Sequence, residues 1–102
     1  MAGLTLVSHD PGWALEAAGL SPTATAAPIV LLDAAAAAAR THHPLADLVR
    51  NALDAGVVVA VHDEAAARRG LLPGDLVDGV KTVDLDEIAD LVADATGAVV
   101  WL

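Results

Sequence analysis

Residues 56–71 read GVVVAVHDEAAARRGL. The aliphatic run 57–61 (VVVAV) shows almost no alternation of apolar and polar residues, which is how a strand covered on both faces reads. A helix signature follows without a break. Asp63 is expected as the N-cap, Glu64 opens a helix over 64–69, and Arg68 and Arg69 sit at the end where the helix dipole favours cations. Gly70 is the expected C-cap. A strand that feeds straight into a capped helix is the first half of a βαβ unit.

The same grammar recurs on both sides of this stretch. Residues 4–8 (LTLVS), 29–32 (IVLL), 80–83 (VKTV) and 98–101 (AVVW) read as four further short strands. Helices are expected between them. Residues 11–20 carry Pro11 near the start and Gly19 near the end. Residues 34–40 are an alanine run of high helix propensity. Residues 45–55 place Leu45, Leu48, Val49 and Leu53 at helical spacing before Gly56. Residues 85–96 follow Asp84, have Glu87 in the capping-box position and stop at Gly97. Leu85, Ile88, Leu91, Val92 and Ala95 form the apolar stripe of that last helix. Residues 21–28 (SPTATAAP), 41–44 (THHP) and 72–79 (LPGDLVDG) read as connections. Strict alternation of strand and helix predicts an α/β domain of three layers, with a mainly parallel five-stranded sheet and right-handed crossovers.

With 102 residues the chain has room for one core, so a single domain over 1–102 is expected. Five Lys and Arg against 14 Asp and Glu give a net charge of −9. Such a surface is repelled by nucleic-acid phosphates and by anionic membranes, so neither is expected as a direct partner. There is no cysteine, which removes disulfides, thiolate nucleophiles, persulfides and Cys-ligated metals together. Trp13 and Trp101 are the only aromatic residues besides histidine, too few for a base-stacking platform. No apolar run approaches the ~18 residues needed to span a bilayer. Residues 1–9 carry no Lys or Arg, so no signal peptide is expected and the protein reads as cytoplasmic.

In open parallel sheets ligands bind outside the carboxyl ends of the strands. Here those ends carry Ser8-His9-Asp10, Asp33 and His62-Asp63-Glu64. His9, Asp10, Asp33, His62 and Asp63 are therefore the candidate pocket residues. His62 stands out, because a histidine just before a helix can serve as acid or base near neutral pH. Its plainer role is a strand-end residue bonded to a neighbour. Asp10 before Pro11 suits a helix cap, as do Asp63 and Asp84. His42 and His43 are adjacent rather than four apart, which does not place both on one helix face, and no metal site or cofactor is expected. The glycines at 70, 74 and 79 lack the context of a phosphate loop, and no GxSxG elbow is present. Trp101 suits the core or a subunit interface, and Trp13 is also an interface candidate.

The segment from Gly56 through HDEAAARRGL, then VKTVD, a helix and GAVVWL, resembles the DsrE/DsrF/DsrH sulfur-relay family, which includes the Tus proteins of tRNA thiolation. The segments LTLVSHDP and IVLLDAA fit its first two strands. The resemblance implies an α/β/α sandwich with strand order 4-3-2-1-5, assembled as homo- or hetero-oligomers. It also places the sulfur-carrying cysteine at the end of the third strand, eight residues before the glycine of the RG turn. His62 stands there in this chain. A persulfide cannot form on an imidazole, so catalytic residues are not assigned. The length, the helix from Asp63 to the RG turn and the terminal WL look most like the DsrH/TusB type. The expectation is a non-catalytic, cysteine-free subunit or scaffold, packed against itself or against cysteine-bearing DsrE/DsrF-like subunits. The alternative is a small-molecule- or metal-binding homo-oligomer using His9, Asp33 and His62.

Overall fold

The computed structural model describes residues 3–20 and 27–102. The connection expected at 21–28 lies mostly outside the described residues. Five strands form one sheet: β1 (Leu4–Val7), β2 (Ile29–Leu31), β3 (Val59–His62), β4 (Lys81–Val83) and β5 (Val99–Trp101). Their order is β4-β3-β2-β1-β5, and all four pairings are parallel. Four α-helices connect them: α1 (Gly12–Leu20), α2 (Ala46–Asp54), α3 (Asp63–Arg68) and α4 (Leu85–Asp94). The expected α/β class, strand count and strand order are all present.

Burial follows the register. Val7, Leu31 and Val61 are aligned partners whose side chains share one core with Leu15 of α1, Val49 of α2 and Ala65 of α3. Leu6, Val30 and Ala60 are also aligned, and they point to the other face with Val83. There a single helix, α4, covers them with Ile88, Leu91 and Ala95. Strands buried on both faces need no polar alternation, and this explains the unbroken aliphatic runs. Each fully buried Leu, such as Leu4, Leu15 or Leu31, contributes about 1.5–3 kcal/mol.

The alanine run folds as a 3-10 helix over Asp33–Ala39 rather than as an α-helix. With three residues per turn, Ala35 eclipses Ala38 and Ala36 eclipses Ala39. All four are buried in the larger core, and the 3-10 helix packs beside α3. Helices α2 and α3 both end in the Schellman pattern. The Val57 N–H bonds the Ala52 carbonyl and the Leu71 N–H bonds the Ala66 carbonyl, each at 3.0 Å. The pattern needs a positive φ just past the helix, supplied by Gly56 (+89°) and Gly70 (+71°).

Helix α4 has the expected capping box. Asp84 accepts from the Glu87 N–H at 2.8 Å, and the Glu87 carboxylate accepts from the Asp84 N–H at 3.0 Å. Its apolar stripe is only half used. Ile88 is buried, but Leu85 is 64% and Val92 41% exposed, because no second helix covers this face. Strand β5 is an edge whose Val99, Val100 and Trp101 are all exposed. Among the described residues, no helix is long and apolar enough to cross a membrane.

Candidate functional site

Parallel pairing puts the ends of β1, β2 and β3 side by side, so His9, Asp33 and His62 share the carboxyl edge of the sheet. Each is held by its own local geometry. His62 closes β3, is half-buried and aligns with Val83, so its ring points to the α4 face. Its Nε2 lies 3.8 Å from Asp63 Oδ1, within ion-pair range but too long for a hydrogen bond. The backbone makes His62, not Asp63, the N-cap of α3, and no side chain caps that helix end. Asp63 is its first helical residue, and its Oδ1 accepts from the next N–H, that of Glu64, at 2.6 Å. Strand β3 runs directly into the helix, so the chain turns one residue earlier than the acid pair suggests.

Asp10 does open a helix: its Oδ1 accepts from the Gly12 N–H at 3.0 Å. Asp33 is exposed and adopts φ +45°, the one positive φ among the described non-glycine residues. Positive φ costs most side chains energy, though Asp tolerates it better than most. His43 is turned to a structural task, since its Nδ1 accepts from the Leu45 N–H at 3.0 Å where α2 begins. Among the described residues, no three His, Asp or Glu side chains converge as metal ligands. The strand-end residues thus share one edge of the sheet without forming a metal-ligand group among the described residues.

The core role considered for Trp101 does not hold, because the ring is 68% exposed. Trp13 is 72% exposed. Ser8 is the residue that sequence reasoning passed over. It is buried, and its Oγ has three partners: Trp101 Nε1 at 3.2 Å, the Leu102 carbonyl at 3.2 Å and His9 Nδ1 at 3.0 Å. A hydroxyl offers one proton and two lone pairs. All three contacts are satisfied together when Oγ donates to Leu102 and accepts from Trp101 and from a His9 protonated on Nδ1. In that arrangement His9 does not act as a base toward Ser8, so the pair is a strand clamp rather than an activated nucleophile. Position 8 continues the Leu4, Leu6 alternation, which was the available sequence signal.

No protein-family model matches the sequence, and no curated protein matches it. Among solved structures, the ychN protein from E. coli is similar over 100% of both chains, with a TM-score of 0.77 and 18% identity. The likeness is one of fold.

Proposed function

We propose that this chain is a cysteine-free, non-catalytic subunit or scaffold of the DsrE/DsrF/DsrH type, in an assembly of the sulfur-relay or tRNA-thiolation kind. The observation that carries the reading is the placement of His62 at the end of the third strand and at the start of a helix, within strand order 4-3-2-1-5. The family resemblance expects a sulfur-carrying cysteine at that place, where a helix N-terminus favours a thiolate. An imidazole keeps the fold and drops the sulfur chemistry. The fold shared with ychN supports the architecture on which this reading rests.

The partner is a second copy or a cysteine-bearing relative, docked on the uncovered β5 edge and its Trp101. Val99, Val100 and Trp101 expose apolar surface beside unpaired strand backbone, the kind of edge that soluble proteins otherwise protect. Native mass spectrometry of tagged protein, purified gently from its own host, tests the proposal. A mixed complex with a cysteine-containing relative of this fold is the expected result. A homo-oligomer alone removes the link to sulfur relay, and a monomer at micromolar concentration overturns the subunit reading altogether.

A further inference from the structure

Between α4 and the sheet face it covers runs a groove of about 410 Å³, from Pro28 and Val58 at the amino edge to Val83 and Glu87. Its floor is apolar and includes Pro28, Val58 and Leu91. A second hollow of about 160 Å³ shares Pro28, Leu91 and Asp94 with it, so the two run together along the flank of α4. The wall is acidic. Asp90 and Asp94 lie four residues apart, both line the groove, and both are exposed.

These two carboxylates are badly placed for the helix itself. Residues four apart are neighbours on a helix surface, and like charges there repel. They also sit toward the C-terminal end of α4, where the helix dipole favours cations, and the last turn of α4 carries no basic residue. Lys81 stands at the β4 end of the groove, and among the described residues no ion pair joins it to Asp90 or Asp94. The helix thus carries uncompensated negative charge beside an open apolar trough.

We propose that this groove docks a basic amphipathic segment of a different protein, its apolar side chains on Val58 and Leu91 and its Lys or Arg side chains against Asp90 and Asp94. Charge selects the occupant. A second copy of this chain brings a net charge of −9, and two of its five basic residues, Arg50 and Arg68, are already ion-paired. A cationic segment relieves the repulsion along α4 and meets the dipole with the sign it favours. The linear course of the groove suits a chain segment laid along the helix. None of His9, Asp33 and His62 lines the groove, which reaches toward them only as far as Val83, the register partner of His62.

The test uses the full chain with a fluorescent Leu/Lys amphipathic peptide as probe, a Leu/Glu peptide of the same pattern as control, and amide chemical-shift mapping. The expected result is binding of the Leu/Lys peptide only, with shifts on α4 and at the starts of β2, β3 and β4. D90K/D94K lowers the affinity at least tenfold. E16K/D54K, an equal charge change on exposed positions of α1 and α2, leaves it within twofold. Val58→Gln, which keeps every charge, weakens binding several-fold. Equal losses in the two charge-reversal variants, shifts outside the groove, or no binding overturn the proposal. Circular dichroism confirms that each variant is folded, and native mass in the same samples keeps this outcome distinct from the β5 assembly.

Discussion

Trp101 Nε1 donates a 3.2 Å hydrogen bond to Ser8 Oγ, joining the last strand to the first across 93 positions of sequence. The backbone reinforces the junction. The Ser8 N–H bonds the Leu102 carbonyl, and the Leu102 N–H bonds the Leu6 carbonyl, both at 2.8 Å. An exposed edge strand of three residues is thereby fixed to a buried central one. The Trp101 ring is held in place even though it faces solvent.

Ser8→Ala removes the hydroxyl that these partners share. It is expected to lower stability by about 1–2 kcal/mol, since the Leu102 carbonyl and the indole each lose a bond. For a domain of this size that corresponds to a fall in Tm of roughly 4–12 °C. Urea unfolding followed by tryptophan emission in a W13F background reads the change at Trp101 directly. An unchanged midpoint would show that water replaces the hydroxyl at no cost.

Asp33 carries its positive φ at the end of β2 without a hydrogen bond to hold it there among those described. Asp33→Val is expected to destabilise by about 1–3 kcal/mol, because a β-branched side chain tolerates that backbone worst. In Asp33→Gly, relief of strain is offset by about 0.5–1 kcal/mol of extra unfolded-state entropy, so the midpoint should stay near that of the parent. If the two variants unfold alike, φ at this position is not strained.

Asp84→Ala removes the side-chain half of the capping box on α4, the carboxylate that accepts from the Glu87 N–H, and leaves the residue-84 N–H able to donate to Glu87. The expected loss is about 0.5–2 kcal/mol. Hydrogen exchange should quicken first in the opening turn of α4, which covers its sheet face alone. Uniform acceleration across the whole chain would show instead that α4 opens only with global unfolding.

His62→Ala is expected to leave the assembly mass unchanged, because the half-buried ring makes no hydrogen bond among those described. His62→Cys installs a thiol at the start of α3. Incubated with polysulfide, that variant should gain the mass of one sulfur atom while the parent gains none. A variant that stays unmodified would mean that the position no longer supports sulfur chemistry.

Val100→Lys places a charge on the β5 edge without touching the Trp101–Ser8 bond. Sedimentation velocity should show the proposed β5 assembly reduced to monomers. An unchanged sedimentation coefficient would move the interface elsewhere, with Trp13 on α1 as the next position to test.

Much of this architecture is written locally. The aliphatic runs, the capping box at Asp84 and Glu87, and the glycines after α2 and α3 specify the elements through backbone sterics, hydrogen-bond capacity and burial, all of which act within a few residues. Strand–helix alternation then fixes a parallel sheet, because parallel neighbours need a crossover. The strand order came from resemblance rather than from any residue pattern, and the structure bears it out.

What the sequence by itself determined is therefore the class of fold, the elements, and the edge of the sheet where His9, Asp33 and His62 lie. Tertiary structure alone decided which of these side chains meet. It drew the Asp10, Asp63 and His43 side chains into bonds with neighbouring backbone N–H groups and tied Ser8 to Trp101. It also left one sheet face with a single helix, which exposes Trp101 and opens the groove beside Asp90 and Asp94. The physical reason is range: capping and propensity act over a turn of chain, whereas convergence and exposure depend on which distant segments pack against each other.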